Sequence, residues 1–221
     1  MTSKNVYDYF RLQFNKLDTN YSQELSSAYV CALFNKAQYK FIDANTDKEE
    51  ATKMIQSDLQ SLLAVSILTG VHIRNVCEVV LPDDWYYIKR VSAIDAQCGN
   101  TLSCLLVQEG NIGRLLQNSN KSPSVEWEET IYTLGADNLR IYVDNFSIKE
   151  VECIYYKDPV HIDIKNNING GLNFYGLPSA NVDPLWIDAI VHKIIDIAVL
   201  LAATDEGDVQ LFQMKSQLLK L

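Results

Sequence analysis

The sequence is poor in the residues that break or staple a chain. Five prolines among 221 residues, with 48% hydrophobic content, exclude a disordered or linker-rich protein. No apolar run reaches the roughly 20 residues that a membrane span needs. The most apolar stretch, Ala189 to Ala203, carries His192, Lys193 and Asp196 and reads as a core helix, so no membrane partner is expected. Polar residues follow Met1 where a secretory leader would be apolar. Five cysteines, an odd number (Cys31, Cys77, Cys98, Cys104, Cys153), then read as reduced thiols. Positive charge is also scarce: 19 Lys and Arg against 28 Asp and Glu leave a formal charge of −9. A surface that grips nucleic acid needs clustered cations; an acidic wall would instead let DNA slide past.

Motifs for chemistry are missing too. Gly110-Asn111-Ile112-Gly113 lacks the Lys-Ser/Thr of a phosphate loop and the spacing of a dinucleotide fold. Cys98 and Cys104 are six apart, outside zinc-pair spacing and without a second pair. No Gly-x-Ser-x-Gly elbow occurs. Neither a metal nor another cofactor is expected.

What is present divides into helical and strand-like zones. Lys4 to Leu17 is amphipathic. Tyr29, Leu33, Ala37 and Phe41 then recur at helical spacing, with Asn35 and Gln38 on other faces. Thr46 or Asp47 caps a third helix whose apolar face is Ala51, Ile55, Leu59, Leu62 and Leu63, stopped near Gly70. From about Arg74 the period falls to two. Strands are expected over Val76–Leu81, from Trp85, and over Trp127–Leu134, Leu139–Val143 and Ile148–Tyr156, the last three as an antiparallel meander. A short helical insertion covers Glu109 to Gln117. Asp183-Pro184 opens a helix to about Thr204 as N-cap and first residue, and a last helix runs from about Asp208 to Leu219. The expected fold class is α+β: a helical bundle from the N- and C-terminal segments with an inserted antiparallel β region. The corresponding divisions are 1–72 plus 183–221 for the helical core, 73–164 for the β region and 165–182 for an Asn/Gly-rich loop.

Two polar groupings merit weighing as catalytic sites. Asp188, His192 and Asp196 lie at i, i+4 and i+8 on one helix face, where carboxylates flanking an imidazole can hold a metal or a base. No matching ligand pair exists elsewhere, and a polar stripe for subunit packing is the preferred reading. His161 and Asp163 alternate onto one strand face with Cys153 near in sequence, yet an oxyanion hole is wanting. The aromatic residues Trp85, Tyr86, Tyr87, Trp127, Tyr142 and Tyr155 crowd the β region. Together with Asp188, His192 and Asp196 they are the expected interface residues, because Tyr and Trp are enriched at interfaces.

Several elements in order resemble the neck, or head–tail connector, ring proteins of crAss-like phages and related tailed phages of Bacteroidetes. They are Leu33-Phe34-Asn35-Lys36-Ala37-Gln38-Tyr39, Leu81-Pro82-Asp83-Asp84 with its aromatics, the leucine-rich insertion Ile112 to Leu116, and Lys121 to Glu128. Asn138 to Asp144, Tyr156 to Pro159, Ile162-Asp163-Ile164 and the helix Ile187 to Leu201 complete the series. The resemblance implies a non-enzymatic virion subunit forming a homo-oligomeric ring, twelve-fold in that family, between portal and tail. Its partners would be further copies of itself, the portal protein and other neck or tail proteins, with DNA passing through the lumen without specific binding. It would be assembled in the host cytoplasm and reside in the virion neck. The alternatives are a tail or capsid accessory protein, or a small enzyme using His161 and Asp163 or the Asp188, His192, Asp196 stripe.

Overall fold

A computed structural model describes residues 1–15, 25–46, 57–165, 172–173 and 175–205. The chain separates into two units, 1–62 with 159–221 and 63–158.

Among the described residues the first unit holds the helices α1 (Ser3–Asn15), α2 (Ser27–Thr46) and α4 (Asp188–Asp205); α3 belongs to the second unit. Val6, Phe10 and Phe14 give α1 one buried row at helical spacing, and Phe10 stacks on Phe14. Val30, Phe34, Ala37, Phe41 and Ile42 do the same for α2. Ile190, Val191, Ile194, Ile195, Ala198 and Val199 of α4 are all buried, as an apolar helix between neighbours requires. The expected start of α4 at Asp183-Pro184 is displaced to Asp188. Trp186 is buried edge-on against Phe41, and the Asp183 carboxylate accepts from the Ser3 amide at 2.7 Å instead of capping α4.

The second unit is a single eight-stranded sheet, in the order β1-β8-β4-β5-β6-β7-β3-β2. Its strands are β1 (Leu63–Leu68), β2 (Gly70–Ile73), β3 (Val76–Val80), β4 (Trp85–Asp95), β5 (Thr101–Leu106), β6 (Glu129–Leu134), β7 (Asn138–Tyr142) and β8 (Ile148–Lys157). The α3 helix (Ile112–Leu116) lies in the connection between β5 and β6. Cys77, Val79, Val91, Ala93, Leu102, Leu139, Ile141, Val151 and Cys153 are buried in one cluster, to which Ala64 and Leu68 of β1 add. Strands from both ends of the order thus share one core, so the sheet is curled.

Both of its edges belong to one continuous stretch. Residues 63–68 pair with β8; after Thr69 the chain bends, and residues 70–73 pair with β3. Where this stretch leaves β8, the His72 imidazole takes the place of the lost strand: its Nε2 lies 2.9 Å from the Ile148 carbonyl oxygen at the start of β8.

The expected helical bundle with an inserted antiparallel β region is corrected by this sheet, which is the largest element of the fold and is mixed. Three physical reasons stand out. Leu63 continues the leucine spacing of Leu59 and Leu62, yet β1 begins at Leu63, and Gly70 opens β2 instead of ending a helix. β5 and β6 are parallel, which requires a crossover and not a tight turn. β7 and β8 do not form a meander, since β8 crosses to lie between β1 and β4. The 51–56 part of the expected third helix and the expected last helix at 208–219 fall outside the described residues.

Candidate interaction surfaces

The helical unit contains a pocket of about 440 Å³ lined by Cys31, Asn35, His161, Asp163 and Tyr175 among others. By residue type it looks nucleophilic, but its electrostatics run the other way. Burial first, and then the nearby Asp163 charge, push the Cys31 thiol up to about 12, whereas a reactive thiol needs a lowered value. The Asp163 carboxylate is spent on backbone: Oδ1 accepts from the Ile164 amide at 2.8 Å and Oδ2 from the Ala180 amide at 3.0 Å. His161 is held by Tyr39, whose hydroxyl lies 2.9 Å from Nε2, and stacks on Tyr175 at 5.3 Å. Cys153 belongs to the sheet unit and is fully buried there. No acid, base and thiol are brought into register by these contacts.

One wall of this region is a buried amide network that periodicity alone did not disclose. The Asn35 side chain pairs with the backbone of Ile162 as another strand would. Its Nδ2 donates to the Ile162 carbonyl at 3.2 Å, and its Oδ1 accepts from the Ile162 amide at 2.8 Å. Gln38 donates to Asn35 Oδ1 at 3.1 Å and to the Val160 carbonyl at 3.3 Å, and accepts from the Trp186 indole at 2.7 Å. Asn35, Gln38 and Tyr39 therefore all serve to hold residues 160–162 on α2. A signal was available in the sequence: two amides three apart, flanked by the apolar Leu33, Phe34, Ala37 and Phe41.

The other polar grouping is dispersed in its contacts. Asp188 accepts from the Met1 amine at 2.7 Å, while His192 meets the Tyr9 ring edge-on at 5.0 Å. Asp196 is half-buried. Among the described residues no three His, Cys, Asp or Glu side chains come together as a metal site.

The aromatic residues expected at an interface take different positions. Tyr155 is buried in the sheet's core and Trp85 packs against it. Tyr86 and Tyr142 are half-buried. Tyr87 is exposed and stacks on Tyr156 at 6.3 Å. Trp127 is 73% exposed.

Tyr155 instead anchors a turn. Its hydroxyl donates to Asp84 at 2.9 Å, Lys157 pairs with the same carboxylate at 3.0 Å, and the Asp158 amide donates to the Asp84 carbonyl. Burial works to raise the Asp84 value, but hydrogen bonds from Lys157 and Tyr155 and the Lys157 charge outweigh it and hold it below the ordinary range. A lowered carboxyl contributes stability that is present above its unfolded value of about 3.9 and is lost as pH falls through the folded one. Asp84→Asn is therefore expected to cost stability near neutrality and progressively less in acid. Denaturant midpoints of both proteins across this range check it; a constant difference down to about pH 3 would refute it.

The clearest surface feature was not among the expected interface residues. In the stretch 63–71 the odd positions are exposed and the even ones half-buried. Ala64, Ser66 and Gly70 face inward, while Val65, Ile67, Val71 and Ile73 point outward. With Val80 of β3, beside the bend, these side chains are 54–71% exposed. The outward face departs from the usual pattern, since a solvated strand face carries polar residues. Residues 63–73 contain no Asp, Glu, Lys or Arg, so the charges that normally guard an edge strand are missing. A second apolar surface lies at β5 and β6. There Leu105, Leu106, Leu115, Trp127 and Ile131 line a groove of about 810 Å³ beneath the 107–128 crossover. No protein-family model matches this chain, and no curated protein matches it.

Proposed function

We propose that the chain is a non-enzymatic structural subunit of a homo-oligomeric ring, placed in a phage neck between portal and tail. The observation that carries this reading is the uncharged outward row Val65, Ile67, Val71, Ile73 and Val80. Covering the exposed part of each such side chain is worth about 2 kcal/mol at ~25 cal/mol per Å². Five together supply on the order of 10 kcal/mol toward association, against its entropic cost. The resemblance of the Leu33 to Tyr39 and Leu81 to Tyr86 elements to neck ring proteins supplies the virion setting. The charge of −9 suits a wall past which DNA moves without being held. The raised thiol of Cys31 and the occupied oxygens of Asp163 speak for a structural use of that pocket.

Light scattering of the purified protein, followed by electron microscopy, tests the reading. A closed ring with an open centre is expected, either alone or on addition of the portal protein encoded by the same genome. A species that remains at the 25.1 kDa chain mass in both conditions would overturn it.

A further inference from the structure

We infer that copies of this chain join head to tail, the apolar ridge on β1, β2 and β3 of one copy seating in the β5–β6 groove of the next. This rests on the ring reading above and names the contact that would build the ring.

The placement follows from the strand order. β5 lies three strands from β1, and β6 three from β2, so in the curled sheet the ridge and the groove occupy opposite sides of one unit. A contact between two different surfaces of identical copies is heterologous, and repeated it generates a ring or an open filament. A single apolar face would give only a two-fold pair. The ridge exposes on the order of 400–500 Å², half or more of the roughly 800 Å² one partner gives a standard interface.

Shape and charge agree with this pairing. The ridge is a projecting row of β-branched side chains; the groove is concave, with Trp127 and Leu106 standing 73% and 62% exposed at it. Every copy carries nine excess negative charges, which oppose association across most surfaces. Residues 63–73 carry none of them, and the two acidic side chains paired across from the ridge, Glu78 opposite Val71 and Glu152 opposite Ile67, are each matched by an arginine, Arg140 and Arg90, so that repulsion is reduced there. Both rims carry charges of each sign: Glu152 with Arg90 beside the ridge, Lys121 and Glu129 at the groove.

The test uses full-length chains with two variants, each altered at exposed positions. One carries Ile67→Lys with Val71→Lys on the ridge, the other Trp127→Lys in the groove. Circular dichroism establishes that both fold, and sedimentation reads their mass. Each variant alone is expected to fall to the 25.1 kDa chain mass. An equal mixture retains one intact ridge and one intact groove, and is expected to form a species of twice that mass and nothing larger. If both variants still form the wild-type ring, this contact is refuted while the ring reading stands. If only the ridge variant dissociates, or the folded variants do not combine, the contact is not head to tail and the inference fails. Wild-type open filaments sensitive to both variants would uphold the contact and overturn the ring. Wild-type protein that stays monomeric alone and with portal overturns both.

Discussion

Replacing Asn35 by alanine is expected to destabilise the helical unit by roughly 3–5 kcal/mol, among the largest effects of any single substitution in this chain. The size comes from what is left behind. Ile162 is buried, and its amide and carbonyl are both satisfied by the Asn35 side chain. Truncation leaves two buried backbone groups without partners, at about 1–3 kcal/mol each. Gln38 loses one of its two acceptors as well. Asn35→Asp tests the same geometry differently, because it keeps the acceptor for the Ile162 amide but sets a carboxylate oxygen against the Ile162 carbonyl. It should also destabilise, since neither group can donate. Urea denaturation gives the free energy, and hydrogen exchange at the Ile162 amide locates it. An alanine variant with an unchanged midpoint and a protected Ile162 amide would show that the network contributes nothing.

Gly70→Ala is expected to cost about 1–3 kcal/mol, the range for inserting a methyl group into a packed site. A Cβ on Gly70 would lie 2.3 Å from the Cys77 Sγ, 2.9 Å from Val79 Cγ2 and 3.0 Å from the Glu78 carbonyl oxygen. Cys77 and Val79 are themselves fully buried, so neither can swing aside into solvent. The close approach exists because the chain leaves β8 here and pairs with β3, and a glycine in a strand often marks such a bend. Cys77→Ala removes the nearest atom. In the double variant the Gly70→Ala penalty should shrink by more than the few tenths of a kcal/mol within which independent sites add. Penalties that simply add would mean the strain lies elsewhere.

Much of the local structure was legible from the residues. The spacing of Val6, Phe10 and Phe14 marks α1, and that of Val30, Phe34, Ala37 and Phe41 marks α2. Leu139 with Ile141, and Val151 with Cys153, alternate as half-buried strands do. The short insertion at Ile112 to Leu116 stands where its pattern put it. Adjacent aromatics such as Tyr155 and Tyr156 face opposite sides of a strand, and their order does not say which side is the core. The ridge is not legible in the spacing, because Val65, Ile67, Val71 and Ile73 are outward yet apolar.

Residue spacing and composition were enough to place the helices with one buried face and the strands whose apolar positions alternate with polar ones. It took the folded chain to make residues 63–73 a bent strand serving both edges of one sheet, to run β5 and β6 parallel, and to bring Asn35 to a backbone segment 127 positions away. The physical reason is that periodicity reports a difference in burial between two faces of one element. It carries nothing about which distant segment supplies that burial, and it falls silent where both faces are apolar.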